Sequence, residues 1–581
     1  MTEFLLKSLL VFFYICRNHN SMKTLLTLLL SALVLTCDAQ WVVDPMINTE
    51  VKDSIGPEES VPLMSNTSDG GTYVSYFALY NGSYQMRLQL LDSAGNRLFG
   101  QMGLLVSNQP QSTAVFRYDL KTDANDNAVL AFQDIRTGGN LHVVVYKIDK
   151  QGNFLWGNNG VQLIDPISDE GLAPTIGFTN AQNVVISWNA SSSVSSWVAV
   201  SKLDPAGVSL WPNTLRVIDS TFSKRYGRPT TVPAGADDFS MLYVEQTGFG
   251  LGVSNMYANR YDATGIPVWS APVHVSTKTI SFFYFCEAVS DGLDGFFVGF
   301  TTSDNNFPAI SDVYAQHVDG NGNLWNATGN IACNLANTQR FCNATRFQPG
   351  NGFYTLIKTT DVNQNQSGVL IQAFDITGNL MLTPPGVQLI PTQAVYADPF
   401  DFAFTSDGII IGYTEGALQN KVIKAIKCDF FGAYQWLGFP AYMCTQNTPK
   451  DDLSCGLFLN NQVVFVWMDG RNDYGIYAQN VSNEGLLGPL SGIAQNEISE
   501  NSLQLVPNPA SHQTTLISNA ETPLNALVTI SDISGKTINS MKWNSAISRE
   551  LVLPIAELNQ GVYLIQVVTE TTSKTLKMVK Q

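Results

Sequence analysis

Residues 148–156 read Ile-Asp-Lys-Gln-Gly-Asn-Phe-Leu-Trp, and this short pattern decides the fold. An alternating apolar run leads into Asp149, glycine follows three residues later at Gly152, and Trp156 comes after it. An Asp side chain can accept hydrogen bonds from backbone N–H groups two or three residues on, and glycine can take the left-handed conformation that closes a tight turn. The pattern therefore predicts a hairpin, after which Trp156 begins the next strand and packs between neighbouring sheets.

The same pattern recurs through the middle of the chain. Three further clear copies carry the same three residue types: Asp204, Gly207 and Trp211; Asp262, Gly265 and Trp269; Asp319, Gly322 and Trp325. Weaker copies lie at residues 92–99, 375–378, 429–436 and 482–485. Successive glycines are about 56 residues apart, a period typical of propellers and repeat arrays.

Each repeat is predicted to contain four strands. In the second repeat these are residues 114–120, 128–133, 141–148 and 154–164, and no long helical period intervenes between residues 60 and 490. Four-stranded units repeated around an axis form a β-propeller. We therefore expect an all-β protein whose residues 40–494 form a multi-bladed β-propeller. Eight blades are favoured, and seven is the alternative because one weak copy could belong to another blade.

The start of the mature chain is a candidate for closing the ring. Residues 41–47 (Trp-Val-Val-Asp-Pro-Met-Ile) resemble residues 161–167, which are predicted to be a fourth strand and the link that follows it. An N-terminal strand of this kind would complete the last blade. The alternative is a disordered mature N-terminus.

Two cysteine pairs occupy matching places in the repeat. Six cysteines remain after the N-terminal region, an even number that suits disulfide bonding outside the cell. Cys333–Cys342 and Cys444–Cys455 would each join the fourth strand of one blade to the first strand of the next, so we predict these two disulfides. Cys286 and Cys428 receive no partner, and no cysteine spacing indicates zinc.

The N-terminus resembles a secretory signal. Lys23, an apolar stretch at residues 25–35 and the segment Cys37-Asp38-Ala39 predict removal of residues 1–39 by cleavage before Gln40. Translation is expected to start at Met22. Lipoprotein processing at Cys37 and an uncleaved anchor are the alternatives. Neither this stretch nor the apolar run at residues 4–15 reaches the roughly 18–20 residues that span a membrane.

The C-terminal 79 residues form a separate predicted module, residues 503–581, after a polar linker at residues 495–502. Periodicity predicts six or seven short strands, the size of a small Ig-like β-sandwich. The marks of this module, in order, are Pro507-Asn508-Pro509, a strand ending at Gly535-Lys536, the segment around Gly561 and Tyr563, and the basic residues Lys574, Lys577 and Lys580.

Together these marks resemble the type A sorting domain of type IX secretion substrates from Bacteroidetes-type bacteria. The resemblance implies passage through the periplasm and export to the medium or the outer cell surface. It also implies that the domain binds the type IX machinery as a partner and is usually removed afterwards.

Motifs for chemistry are scarce. The mature chain has four histidines, His142, His274, His317 and His512, and it contains no HExxH, G-x-S-x-G or Walker pattern. The matching segments Asp134–Arg136 and Asp469–Arg471 recur across two repeats, so we interpret them as loop-fixing pairs. Clusters at residues 123–126 and 304–306 are candidate calcium loops, but neither has EF-hand spacing, and solvated turns are the better interpretation. We predict no catalytic residue and no cofactor.

The turn is also similar to the Asp-box of sialidase-type propellers, although there the glycine follows two residues after the Asp. Those enzymes gather three arginines around a carboxylate substrate, and this Arg-poor sequence shows no such set. A net charge of −16 with 14% charged residues argues against nucleic-acid binding. The leading hypothesis is a non-enzymatic binding or adhesion module for a glycan or protein. The alternative is a secreted polysaccharide hydrolase or lyase, which a deep pocket with two nearby carboxylates would favour.

Overall fold

The computed structural model describes fourteen segments of the chain: residues 41–52, 58–111, 117–136, 138–248, 253–281, 287–303, 311–417, 419–436, 440–489, 503–518, 525–532, 537–545, 547–568 and 573–581. The predicted signal region, Cys286, Gly535 and the cluster at residues 304–306 lie outside these segments. The chain divides into two compact units, residues 1–489 and 490–581. All regular elements in the described segments are strands, and none of these segments contains a helix long and apolar enough to cross a membrane.

The described residues of unit 1 form eight four-stranded antiparallel sheets. Sheets 1 to 4 are, in order, β2 (Glu59–Asn66), β3 (Thr72–Tyr80), β4 (Ser83–Leu91) and β5 (Leu104–Ser107); β6 (Asp119–Thr122), β7 (Ala128–Asp134), β8 (His142–Ile148) and β9 (Val161–Leu163); β10 (Glu170–Phe178), β11 (Val184–Ser191), β12 (Ser196–Leu203) and β13 (Leu215–Val217); β14 (Lys224–Ala234), β15 (Asp238–Thr247), β16 (Val253–Tyr261) and β17 (Val273–His274).

Sheets 5 to 8 continue the same order along the chain. They are β18 (Val289–Ser290), β19 (Phe296–Thr301), β20 (Val313–Val318) and β21 (Asn330–Cys333); β22 (Thr338–Gln348), β23 (Gly352–Asp361), β24 (Ser367–Phe374) and β25 (Val387–Gln393); β26 (Ala397–Phe404), β27 (Ile409–Ala417), β28 (Asn420–Cys428) and β29 (Ala441–Thr448); β30 (Lys450–Cys455), β31 (Gln462–Asp469) and β32 (Gly475–Ser482) with β1 (Thr49–Lys52).

The first strands of the sheets form a closed ring. Each contacts the first strand of the next sheet, from β2 through β30, and β30 contacts β2 again. A separate apolar cluster fills the interface between each pair of neighbouring sheets. Both faces of a sheet are therefore buried, which explains why β7 is buried along its whole length and apolar from Ala128 to Phe132. The unit is all-β and β-propeller-like, as predicted.

The repeated turn closes each sheet at its outer side. Seven turns carry an Asp whose Oδ1 accepts hydrogen bonds of 2.8–2.9 Å from the backbone N–H groups two and four residues on, namely Asp92, Asp149, Asp204, Asp262, Asp319, Asp375 and Asp429. The eighth carries Ser482, whose Oγ accepts two longer ones of 3.2 and 3.3 Å. We expected acceptance from the third residue as well, but that N–H, from Gly152 in the second sheet, donates to the backbone carbonyl of Asp149 instead.

The turn glycine and the tryptophan link neighbouring sheets. The glycines Gly95, Gly152, Gly207, Gly265, Gly322, Gly378, Gly432 and Gly485 all have φ between 83° and 91°, the left-handed region. Six tryptophans donate from Nε1, over 2.8–3.2 Å, to the carbonyl of the residue after the turn's Asp or Ser in the next sheet: Trp41, Trp156, Trp211, Trp269, Trp325 and Trp436. A Cβ added to Gly207 would lie 2.7 Å from Cγ of Trp156, so the indole needs glycine there. We call these eight turns and their packed tryptophans the rim.

The N-terminal segment completes sheet 8, because β1 pairs with β32. The strand is Thr49–Lys52 and not the Trp41–Val43 stretch that resembles residues 161–163. Trp41 instead occupies the rim position, with its Nε1 2.9 Å from the carbonyl of Ser93. The shared Asp-Pro was misleading because Asp44 and Asp165 each accept a backbone hydrogen bond from the residue two positions on, which marks a local turn and does not fix where the strand lies.

Within unit 2 the described residues form seven strands in two antiparallel sheets. One sheet holds β33 (Leu503–Val506), β34 (Gln513–Ser518) and β37 (Glu550–Pro554); the other holds β35 (Asn525–Asp532), β36 (Thr537–Asn544), β38 (Gly561–Val568) and β39 (Ser573–Lys580). Apolar residues of both sheets, including Leu516, Val528 and Ile565, form one buried core.

Candidate functional site

An irregularity in the first strands shapes the centre of unit 1. The pairing register of first and second strands shifts within β2, β10, β14, β22, β26 and β30. In four of them a non-glycine residue has φ between 49° and 54°: Val61, Ala173, Arg228 and Asp452. Proline follows the first three, and since it has no N–H it cannot donate to the ladder at this point. Bulges of this kind re-aim side chains, and strained backbone of this kind is concentrated at functional sites.

These bulges present one residue from each sheet. In order, the residues are Val61, Arg117, Ala173, Arg228, Glu287, Asn343, Phe400 and Asp452, about 56 residues apart along the chain. Arg117 and Glu287 lie two residues before β6 and β18, and the other six lie at the register shifts. We call this set the axial ring. Unlike the rim residues, its members differ in charge and size from sheet to sheet.

The axial ring borders two adjoining cavities. The first, of about 430 Å³, is lined by six members of the ring and by Asp119, Lys121, Tyr118 and Ile176 among others. The second, of about 820 Å³, is lined by Arg117, Glu287, Asn343 and Phe400, together with the ion pair Arg346–Asp401, whose N–O distance is 2.9 Å. Arg117 and Glu287 line both. Ligand sites in proteins have volumes of this order.

Three ionisable side chains that line the first cavity have shifted pKa values. Burial raises the pKa of Asp119, and the negative charge of Glu287 adds to the effect, although the backbone N–H of Ile176 donates to Asp119 Oδ2 over 2.8 Å. The pKa of Asp452 is raised as well, because the surrounding protein shields its carboxyl group from water even though the residue is exposed. The negative charge of Asp451 raises it further. Burial lowers the pKa of Arg117, and the charge of Arg228 lowers it further while Glu287 opposes this. Such shifts are common where side chains perform binding or proton transfer.

The sequence did not lead us to predict the axial ring. We expected no convergent arginines, yet Arg117 and Arg228 line one cavity and Arg346 lines the adjoining one. The usable signal was the spacing of about 56 residues together with the recurring Val61-Pro62, Ala173-Pro174 and Arg228-Pro229 pairs. These pairs share no residue type before the proline, so no residue pattern marks them.

The other candidate residues have mainly structural surroundings. His317 Nε2 lies 2.8 Å from Asp291, and the His274 ring stacks on Tyr257 with centroids 4.8 Å apart. Asp123, in one candidate calcium loop, accepts from two backbone N–H groups and pairs with Lys147 at 2.8 Å. Among the described residues, no three His, Cys, Asp or Glu side chains are arranged to hold a metal ion.

The two matching Asp–Arg segments are ion pairs that fix neighbouring chain. Arg136 and Asp134 are 2.7 Å apart, and the Arg136 guanidinium also donates to the carbonyl of Asn159. Arg471 and Asp469 are 2.7 Å apart. Arg471 donates to the carbonyls of Met46 and Ile47 as well, and so holds the N-terminal segment against sheet 8.

The predicted disulfides are not present in the structure. Cys333 and Cys342 lie on β21 and β22 in the core between sheets 5 and 6, and Cys444 and Cys455 lie on β29 and β30 in the core between sheets 7 and 8. In each pair, one cysteine lies on the fourth strand of a sheet and the other lies on the first strand of the next sheet. The two bonds therefore stay predictions.

The marks of the C-terminal module are built into its sheets. Asn508 Oδ1 accepts from the N–H of Val579 over 2.8 Å, and its Nδ2 donates to the carbonyl of Lys577 over 2.7 Å. This fastens the Pro-Asn-Pro segment to β39. Tyr563, on β38 after Gly561, donates its hydroxyl to the carbonyl of Asn559, and Lys580 donates to the carbonyl of Ser511. The basic residues thus belong to the last strand of the unit.

Comparison with family models decides the nature of this unit. Residues 504–581 match the family described as "Secretion system C-terminal sorting domain". These residues are a type IX sorting domain. The sorting domain interacts with the type IX machinery and directs the protein to the cell surface or the extracellular space, as the sequence predicted.

Other comparisons give distant similarity only, and no curated protein sequence matches this chain. A polysaccharide lyase of family PL25, an ulvan lyase, is 10% identical, with 75% of this chain and 96% of that chain covered and a TM-score of 0.43. A protein of unknown function from Dyadobacter fermentans is 10% identical over 74% of this chain and 96% of that one, with a TM-score of 0.35. The α-L-arabinanase of Penicillium chrysogenum is 10% identical over 58% and 99%, also with 0.35. Similarity at this level carries no statement about activity.

Proposed function

We propose that residues 40–494 form an eight-bladed β-propeller that binds an extracellular glycan or protein in the axial cavity. In this proposal residues 1–39 are a signal peptide cleaved before Gln40, and residues 495–502 are a linker. Residues 503–581 form an Ig-like sandwich that delivers the propeller and takes no part in binding. Each of the eight sheets of unit 1 then corresponds to one blade.

The contrast between the rim and the axial ring carries the proposal. The rim repeats nearly the same residues in every sheet, which serves the repeat itself. The axial ring keeps its position but changes its residue between neighbouring sheets, from Ala173 to Arg228 to Glu287. A position that is fixed by the fold and varied in chemistry suits recognition of an asymmetric ligand, because each sheet supplies a different contact.

The test is a retention screen of the purified exported protein against immobilised polysaccharides, in which bound protein and released product are both scored. Asp452→Asn removes a charge from the axial ring, and Asp451→Asn removes one from the adjacent, exposed residue outside the cavity lining. We expect retention on at least one polymer, changed by Asp452→Asn and unchanged by Asp451→Asn. Equal effects of both variants would contradict binding in the axial cavity.

A secreted polysaccharide hydrolase or lyase is the second candidate. The observation in its favour is that three carboxyl groups, Asp119, Glu287 and Asp452, line one cavity. A carboxyl group whose pKa is raised by burial, as for Asp119, is suited to donate a proton to a leaving group. Product release that Asp119→Asn or Glu287→Gln abolishes, with retention intact, would establish this candidate and displace the first.

A further inference from the structure

Two arginines of the axial ring lie on either side of an alanine. Arg117 comes from sheet 2 and Arg228 from sheet 4, and the sheet between them contributes only Ala173. The methyl group of Ala173 leaves room for a ligand group between two long side chains. Planar guanidinium groups bind carboxylate and sulfate-like oxygens through paired hydrogen bonds.

The backbone holds Arg228 in place at this point. Its φ of 54° turns it out of the β14 ladder, and its N–H donates to Asn189 Oδ1 over 2.8 Å. Asn189 belongs to β11 in the neighbouring sheet and also lines the cavity. The bulge and this hydrogen bond fix the backbone of Arg228 before any ligand arrives, which lowers the entropy lost on binding.

Charged groups of both signs line the cavity in equal number. Arg117, Arg228 and Lys121 are the positive groups of its lining, and Asp119, Glu287 and Asp452 are the negative ones. The pKa values of Asp119 and Asp452 are raised, so these two carry less negative charge near their titration range than ordinary carboxyls do. Arg117 and Arg228 repel each other, since the charge of Arg228 lowers the pKa of Arg117. An anion between them would relieve that repulsion.

The rest of the lining fits a saccharide. Residues with hydroxyl side chains line the cavity, among them Thr230, Thr231 and Ser454. Sugar hydroxyls can both donate to and accept from such groups. Val61, Leu63 and Leu453 supply apolar surface for the face of a sugar ring. A volume of about 430 Å³ is in the range of small-ligand sites, large enough for one or two sugar rings.

We propose that Arg117 and Arg228 hold the carboxylate or sulfate group of an acidic saccharide in the axial cavity. This inference rests on the proposed function, because it names the ligand class of the same cavity. A uronate supplies a carboxylate and a sulfated sugar supplies a sulfate ester, and both present oxygens that match a guanidinium fork.

The test measures binding of the purified exported protein to four probes of similar length: oligogalacturonate, sulfated galacto-oligosaccharide, neutral galacto-oligosaccharide and polyglutamate. We expect one of the two acidic saccharides to bind at least about tenfold more tightly than the neutral one, the effect of one or two charge-assisted hydrogen bonds. Its affinity should fall with added salt, because ions screen partly exposed charges. The uronate and sulfate arms distinguish the two sources of the anion.

The variants are matched for charge. Arg228→Gln should bring the acidic saccharide to within about threefold of the neutral one, and Arg228→Lys should keep part of the preference. Arg225→Gln removes the same charge from the same strand, but Arg225 does not line this cavity, so it should leave affinity unchanged. Thermal unfolding of each variant shows that it is folded.

Each unfavourable outcome has a distinct meaning. Equal affinity for neutral and acidic saccharides, or an equal loss in Arg225→Gln, overturns the acidic-saccharide inference and leaves the proposed binding function in place. Tighter binding of polyglutamate than of either acidic saccharide overturns it in favour of an acidic peptide. Failure of every probe and every polymer of the retention screen overturns the proposed function itself.

Discussion

The rim and the axial ring belong to the same repeat, but the rim keeps its residue types from sheet to sheet and the axial ring changes them between neighbouring sheets. At the rim, residues such as Asp149, Gly152 and Trp156 recur because each satisfies the turn or packs on the next sheet. At the axis, the bulge recurs and the residue does not. Substitutions at the rim should therefore change stability and leave binding unchanged. Substitutions in the axial ring should change binding and leave stability unchanged. Four predictions test this contrast, from the largest effect to the smallest.

Trp156→Ala should have the largest effect. The indole packs on Gly207 of the next sheet, donates to the carbonyl of Pro205 over 3.1 Å, and is 9% exposed. Its loss leaves a cavity between two sheets, and we expect the free energy of unfolding to fall by about 3–5 kcal/mol in urea titrations. Leu155→Ala, at a side chain that is 46% exposed, should change it by less than about 0.5 kcal/mol. Loss of ligand retention by folded Trp156→Ala would break the contrast.

Gly207→Ala compared with Gly157→Ala separates backbone strain from packing. The two glycines have φ of 85° and 82°, but an added Cβ at Gly207 lies 2.7 Å from the Trp156 indole, whereas that at Gly157 meets no atom within 4 Å. We expect about 1–2 kcal/mol of destabilisation at Gly157 from the left-handed conformation alone. At Gly207 the total should reach about 2–4 kcal/mol, because the indole must move. Equal values in chemical unfolding would show that the close packing contributes nothing.

Asp149→Ala should have a smaller effect. Asp149 Oδ1 accepts from the N–H groups of Gln151 and Asn153 at 2.9 and 2.8 Å, while the backbone bonds of the turn remain. By analogy with the loss of a helix cap, we expect a fall of about 1 kcal/mol in the free energy of unfolding. Asp149→Asn keeps the acceptor oxygen and should be nearly neutral. A large loss in both variants would mean that the charge, and not the acceptor, holds the turn.

Asp119→Asn should raise the free energy of unfolding, whereas the three preceding kinds of substitution lower it. The pKa of Asp119 is higher in the folded protein than the ordinary 3.8, so the folded state binds more protons in that interval and stability falls as pH rises through it. The variant removes this penalty and keeps an acceptor for the N–H of Ile176. We expect it to be more stable than wild type at pH 7, because the neutral amide carries no charge that burial would penalise. The difference should vanish toward pH 3.8, and a pH-independent difference would contradict the assignment.

How much of the fold was predictable varies along each sheet. In sheet 2 the predicted strands 128–133 and 141–148 agree closely with β7 and β8, because middle strands are buried on both faces and read as apolar runs. The predicted strands 114–120 and 154–164 correspond only partly to β6 and β9. Residues 114–116 lie outside the described segments, and the outer strand pairs over only three residues. Local sequence carries little information about either.

The sorting domain was predictable for a different reason. Its marks lie within one contiguous stretch, and the Asn508 contacts to β39 are formed inside that stretch. The axial ring is the opposite case. Arg117 and Glu287 line the same cavity although 170 residues separate them in the sequence, so only closure of the ring brings them together.

The sequence by itself determined the export route, the all-β class and the repeated turn, because each depends on residues close together in the chain. Asp149 and Gly152 close their hairpin whatever the rest of the molecule does. Only the tertiary structure decided which side chains share the axial cavity and which N-terminal residues complete sheet 8. Those contacts join distant parts of the chain, and their geometry follows from the packing of eight sheets around one axis.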